Sequence, residues 1–339
     1  MLKSLKNNLI YSIIFVLIVL IILGLFGGGF WMLTRFSGSA YFTNIRTWVV
    51  TTAATTTSHQ WISNLVASDA EIKTILENNK VLQLDPNDIA AISIIKSADD
   101  KYKAAGWKKL ENGIFEKYVK GTTYDGQLML VTDPSRISVA HTDSMGSQGE
   151  TVVNMVKKSG AIAGINGSTF QDGANYDSAG GVPVGFIIEN GVAVYGKNTK
   201  KAYSMVGFNE ENKIVIGYYS VTKALSLGVK SAVCAEVPLI SDGKIAESVG
   251  NGGWGNAPRS AIGQMKTGEV VLCTLNGRSV QYIGADIDQL AKVLYDNGVY
   301  NAMMLDGGSS TVMVYNGNFL NTPCLGHERL IPSAWIVMP

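Results

Sequence analysis

The stretch MMLDGGSSTVMVYNG, residues 303–317, joins two apolar runs through an aspartate, two glycines, two serines and a threonine. A tight strand-to-strand reversal accounts for part of it, because Gly307 and Gly308 admit positive φ and Ser309 and Ser310 can bond nearby backbone. It does not account for Asp306 at the end of an apolar strand, followed by three hydroxyls. Whether the segment is a turn or lines a ligand site depends on what surrounds it.

From about residue 113 onward the runs IFEKYVKG, QLMLVTD and RISVAH alternate as strands do, separated by turn residues such as Asp125-Gly126 and Asp133-Pro134. A helix is predicted over 149–158 (GETVVNMVKK), followed by the apolar strand AIAGI, which runs into Asn166-Gly167-Ser168. Hairpin signals recur at Glu189-Asn190-Gly191, Glu210-Glu211-Asn212, Asp242-Gly243 and Thr267-Gly268. A second helix, 286–297 (DIDQLAKVLYDN), leads into NAMMLD, and SAWIVMP closes the chain as a last strand. Hairpins outnumber strand-helix-strand alternations. The fold class is therefore α+β, with mixed, mainly antiparallel sheets and a few covering helices.

Upstream, residues 9–33 (LIYSIIFVLIVLIILGLFGGGFWML) contain no charge, and about 20 apolar residues cross a bilayer. A cleaved signal peptide would have a shorter apolar region of ~7–15 residues, so an uncleaved transmembrane anchor is the reading here. Lys3 and Lys6 precede the run and Arg35 and Arg46 follow it, which gives only a weak orientation signal. The domains expected are a cytoplasmic tail (1–8), an anchor (9–34), a helical stalk region (35–112) and a main domain (113–339), with the last two outside the cell membrane. In the stalk, Trp61, Ile62, Leu65, Val66, Ile72, Ile75 and Leu76 recur at helical spacing, and Ser68 with Glu71 fits a capping box. This face serves either as a docking helix near the membrane or as simple packing on the main domain.

Composition excludes some classes. The 339 residues are 46% hydrophobic with a net charge of +1, enough for a substantial core and too little basic surface for a nucleic-acid partner. Cys234, Cys273 and Cys324, like His59, His141 and His327, are scattered without zinc spacing, so no metal site is read. Calcium ligands drawn from distant loops stay open. The odd cysteine count fits buried thiols better than a disulfide framework. There is no GxxxxGK[ST] loop and no GxSxG elbow.

Arginine is scarce, with only six: Arg35, Arg46, Arg136, Arg259, Arg278 and Arg329. Arg259 (PRSAIG), Arg278 (NGRS) and Arg329 (HERLIPS) each sit beside small or hydroxylic residues. A convergent trio would suit phosphate or carboxylate through bidentate bonds. The alternative is three solvated or salt-bridged side chains. With Asn166, Ser168, Ser309, Ser310 and Thr311, these loops supply the groups expected around a sugar and its phosphate.

The segments AIAGINGSTF (161–170), VPVGFIIENG (182–191), PRSAIGQ (258–264), LNGRS (275–279), MLDGGSSTVMVYNG (304–317) and ERLIPSAWIV (328–337) together resemble the phosphodiester glycosidases related to the lysosomal uncovering enzyme, N-acetylglucosamine-1-phosphodiester alpha-N-acetylglucosaminidase. The anchor, stalk and domain order look like bacterial members labelled as exopolysaccharide biosynthesis proteins. One departure is Asn276, where the family pattern leads us to expect an acidic residue. The resemblance implies a hydrolase that cleaves the glycosidic bond of a sugar-1-phosphodiester and acts on a sugar-phosphate or polysaccharide substrate; no cofactor is read, with calcium left open. Asp306, then Glu328, then Asp172 are the candidate catalytic carboxylates. Arg259, Arg278 and Arg329 would hold phosphate, and Asn166, Ser168, Ser309, Ser310 and Thr311 would position it or the sugar. A non-catalytic wall-polysaccharide binding or structural module is the alternative; convergence of these arginines and carboxylates on one cleft discriminates.

Overall fold

The computed structural model describes residues 24–54, 56, 60–95, 99–172 and 178–339. Three sheets form the body. An eight-stranded sheet runs in the spatial order Lys244–Ile245, Pro238–Ser241, Val299–Met304, Arg259–Met265, Val270–Leu275, Asp125–Val131, Ile114–Lys120, Lys108–Glu111. One five-stranded sheet is built on Tyr203–Asn209 and Val229–Cys234, the other on Ala163–Asn166 and Ser333–Val337. Among the described residues the paired strands of these sheets run antiparallel, as local hairpin connections favour.

The sheets turn their inner faces to one core, where Ile262 and Leu272 meet Val206, Phe208, Ile165 and Trp335. Phe208 and Trp335 meet edge to face with centroids 5.5 Å apart, an arrangement that aromatic quadrupoles favour. Outer faces are closed by helices. Ile287–Asp296 lays Leu290, Ala291 and Leu294 on the eight-stranded sheet; Val152–Lys158 and Val221–Ser226 cover the other two. Each helix starts at a side-chain cap: Asp286, Thr151 and Ser220 accept from the backbone N–H three residues on, which satisfies a donor left open by helix geometry.

The predicted helices and the four hairpins fall where expected, with Asn190, Asn212 and Asp242 at positive φ. Two expectations are corrected. Asp125 and Gly126 are not a turn: they open the strand Asp125–Val131, and the reversal lies one step earlier, where Gly121 donates to Tyr124 O at 2.8 Å. Gly126 is needed because its backbone presses on the next strand; a Cβ there would stand 2.1 Å from Thr274 O. Nor is the 303–317 segment a hairpin. Val299–Met304 pairs within the eight-stranded sheet and Met313–Tyr315 within a five-stranded one, so the DGGSS segment carries the chain from one sheet to another.

The eight-stranded sheet takes its edge from Lys108–Glu111, and Tyr102 is buried against it with its hydroxyl donating to Glu269 at 2.7 Å; both precede residue 113. Cys234, Cys273 and Cys324 are free thiols. Upstream, Ser68 and Glu71 form the expected capping box at the start of Asp69–Asn78. The apolar helix faces meet each other through Val66, Ile72, Ile75 and Leu76, together with Val50, while Trp61 and Leu65 are exposed. Most of the 9–33 run, and His59, lie outside the described residues. Residues 24–36 are helical with Leu25, Phe26 and Phe30 exposed, and among the described residues no helix is long and apolar enough to cross a membrane.

Candidate active site

Four adjacent strands of the large sheet end along one edge. Their registers, Pro238 opposite Met303, Met304 opposite Ala261, and Arg259 opposite Leu275, put Glu236, Asp306, Arg259 and Arg278 side by side there in that order. Neighbouring strands are about 4.8 Å apart. These side chains, with Asp172, Arg329, Ser309 and Ser310, line a cavity of about 400 Å³. Phe170 and Trp254 give it aromatic walls, and Ala54 and Leu76 from the upstream helices border it.

Asp306 stands at the junction between sheets. Its backbone carbonyl accepts from Asn166 Nδ2 at 2.7 Å, which fixes where the side chain starts. Burial pushes its carboxyl up to about 6, although Ser310, Arg329 and the Gly307 N–H favour the ion. Glu236, across the strand pair, donates its N–H to Met304 O at 3.0 Å. Burial, with Asp306 as a like-charged neighbour, pushes its carboxyl up to about 8.

The arginines are held differently. Arg259 is 3% exposed; its Nε donates to Ala285 O at 3.0 Å and its Nη2 to the carbonyls of Trp254 and Gly255. Burial lowers its pKa to about 10. Arg278 has φ +54°, and its Nε is buried without a hydrogen-bond partner among the described residues. Arg329 bonds Asp172 and lies 4.8 Å from the centroid of the Phe170 ring. Asp172 is thereby held in an ion pair, and it also accepts from Ser178 Oγ at 2.8 Å. Its chemistry is that of a partner for Arg329.

Four sequence candidates do not reach the cavity wall with free chemistry. Glu328 points elsewhere: its carboxylate accepts from Val153 N at 3.2 Å, at the N-terminus of the Val152–Lys158 helix, where a negative charge is favoured. Asn166 is fully buried and uses its amide to hold Asp306 O, Ser260 Oγ and Val312 N. Ser168 is buried against Ser333, Oγ to Oγ at 2.9 Å. Thr311 is buried like Ser309 and Ser310 but, unlike them, does not line the cavity. Asn276 bonds Asp125 at 2.9 Å and Thr322 N at 2.9 Å, so it acts as a brace. The sequence reading missed Glu236, whose place at the site follows from strand order and not from any local motif, and Trp254. Among the described residues, no group of three or more His, Cys, Asp or Glu could hold a metal ion.

Three guanidinium groups and the carboxyls of Asp172, Glu236 and Asp306 thus line one cavity. Residues 159–338 match the model of a family described as phosphodiester glycosidase; the chain belongs to that family of hydrolases. It is 27% identical over 199 residues to the SPbeta prophage-derived uncharacterized protein YomE of Bacillus subtilis (strain 168), a match covering 54% of this chain and 28% of that protein. The chain thus spans well under a third of that relative's length. In fold it is similar to the catalytic domain of zebrafish N-acetylglucosamine-1-phosphodiester alpha-N-acetylglucosaminidase, auto-inhibited by its pro-peptide, with TM-score 0.57, 21% identity, and 68% of this chain and 85% of that one covered. A hypothetical protein from Synechocystis matches with TM-score 0.50 at 15% identity, covering 68% of this chain and 63% of that one.

Proposed function

We propose that this protein is a membrane-anchored, extracytoplasmic hydrolase that cleaves the glycosidic bond of sugar-1-phosphodiesters in cell-surface polysaccharide or its precursors. The observation that carries the reading is the convergence of Arg259, Arg278 and Arg329 with Asp306 on one cavity. The guanidinium groups hold the phosphate and take up charge on the leaving oxygen, so the reaction asks little of a strong acid. Asp306, ionised above about pH 6, removes a proton from the water that attacks the anomeric carbon. The bond from that carbon to the phosphate oxygen breaks with its electron pair on the oxygen, giving a free sugar and a phosphomonoester. Ser309 and Ser310 orient the substrate at the loop. The anchor at 9–34 keeps the stalk region (35–112) and the catalytic domain (113–339) at the outer membrane–water boundary, with 1–8 in the cytoplasm.

The full chain in detergent, incubated with a panel of sugar-1-phosphodiesters, is expected to release free sugar with an equal amount of phosphomonoester. A panel bound but not cleaved would favour the polysaccharide-binding alternative. Protease added to intact protoplasts is expected to digest the main domain; complete protection contradicts the topology.

A further inference from the structure

Glu236 has no part in the chemistry above, yet it stands in the middle of the site. It begins at the strand edge beside Asp306, lines the same cavity as the three arginines, and is tied by its N–H to Met304 O, two residues before Asp306. Its far side borders a second cavity of about 200 Å³ walled by Leu82, Leu84, Ser204 and Tyr218. The charged groups that face it are Asp306 and Arg259, with Asp172, Arg278 and Arg329 elsewhere on the wall. An ionised glutamate here would repel both Asp306 and any phosphate drawn in by the arginines. A carboxyl that keeps its proton offers instead an O–H on the wall of a cavity that three guanidinium groups also line.

We propose that Glu236 is a substrate-binding residue that donates its carboxyl O–H to a phosphate-diester oxygen in this cavity. The inference deepens the phosphodiester reading and rests on it for the identity of the anion. The physical logic is that of a carboxylic acid kept neutral by a crowded, partly apolar site so that it can serve as a donor. Burial and Asp306 supply that condition here. The proton is shared with the phosphate and not transferred, because a phosphodiester is the anion of a strong acid and a far weaker base than a carboxylate.

The test measures binding of dimethyl phosphate, a monoanion over the whole range, to the full chain in detergent by calorimetry between pH 6 and 9, independently of turnover. Wild type is expected to lose affinity as the pH rises past about 8, where Glu236 ionises. Glu236→Gln keeps a neutral donor of the same shape, so its affinity at pH 7 is expected within about threefold of wild type, with the alkaline loss abolished. Glu236→Leu is expected to bind roughly ten- to a hundredfold more weakly at pH 7, the usual cost of removing a donor to a charged group. An alkaline loss that persists in Glu236→Gln, wild-type affinity in Glu236→Leu, or no binding by wild type overturns the assignment. Turnover separates the two readings. If dimethyl phosphate binds as described while no sugar-1-phosphodiester is cleaved, the hydrolase reading fails and the anion site stands. If sugar is released and Glu236→Gln loses kcat at unchanged KM, Glu236 transfers its proton and the donor role is wrong.

Discussion

The guanidinium of Arg278 lies so close over Gly308 that a Cβ there would stand 3.1 Å from its Nη1. Both residues are at positive φ, 54° for Arg278 and 61° for Gly308. Left-handed backbone at a non-glycine residue costs about 1–2 kcal/mol, and such strain persists where the surroundings fix it, often at functional sites. Gly308→Ala adds a second strained residue and pushes the guanidinium out of place. The variant is expected to unfold at lower denaturant, by about 1–2 kcal/mol, with a several-fold rise in KM for a phosphodiester. Stability within ~0.5 kcal/mol of wild type would show that the loop relaxes freely.

Arg259 and Arg278 face the same cavity but differ in what else they hold. Replacing Arg259 by lysine leaves the carbonyls of Ala285, Trp254 and Gly255 short of donors. It should therefore cost stability, about 1–3 kcal/mol, as well as activity. Arg278→Lys breaks no such bonds at Nε and gives up one weak bond to the Cys324 thiol. It is expected to keep wild-type stability and lose activity on phosphodiesters, since an ammonium cannot reproduce the planar fork. Thermal unfolding run beside steady-state kinetics separates the two. Equal kinetics for both variants and wild type would mean that neither arginine touches the phosphate.

What the sequence made legible was local. Asp306, Ser309 and Ser310 stood out because their neighbours in the chain are also their neighbours in space, and Arg259, Arg278 and Arg329 because arginine is rare here. Glu236 was invisible because AEVPL looks like any strand entry; only the pairing of Pro238 with Met303 brings it beside Asp306. Glu328 has the right chemistry in the right motif but is spent on the Val153 amide. Asn166 and Ser168 belong to a site-like triplet, yet strand pairing on both sides of Ala163–Asn166 buries them as braces. Asp125-Gly126 reads as a turn because glycine serves reversal and close approach equally, and sequence does not say which.

His141 gives the fold a pH dependence separate from catalysis. Its Nε2 lies 3.1 Å from Glu189 and its Nδ1 2.9 Å from Thr142 O. The hydrogen bond with Glu189 raises its pKa from the usual 6.5, against the effect of burial. A histidine raised in the folded state contributes stability that is full below its unfolded value and is lost as the pH rises through its folded one. Glu189→Gln is therefore expected to lower Tm at pH 5.5 and to matter less at pH 8.5. A Tm gap that is the same at both values would remove the pair from the account of stability.

Asp306 lies on the opposite side of that rule. Its carboxyl is raised from 3.8 to about 6, so the native state holds the proton more tightly than the unfolded chain, and stability falls as the pH climbs from about 4 to 6. Above that window the ionised side chain costs at most ~3 kcal/mol by this shift. Asp306→Asn removes the charge while keeping size, an acceptor for Ser310, and the backbone carbonyl that Asn166 holds. The variant is expected to melt higher than wild type at pH 7, on the order of 5 °C, with the gap closing near pH 4. Its kcat should fall ~10²–10⁴-fold, because no base remains to activate water. In wild type, activity should decline below about pH 6, as Asp306 takes up its proton. Gained stability with lost turnover is what a carboxylate held ionised for function predicts. A variant that melts lower and still turns over substrate would make Asp306 a structural junction between the sheets and leave the base to be sought at Asp172, the other carboxyl of the wall proposed from sequence.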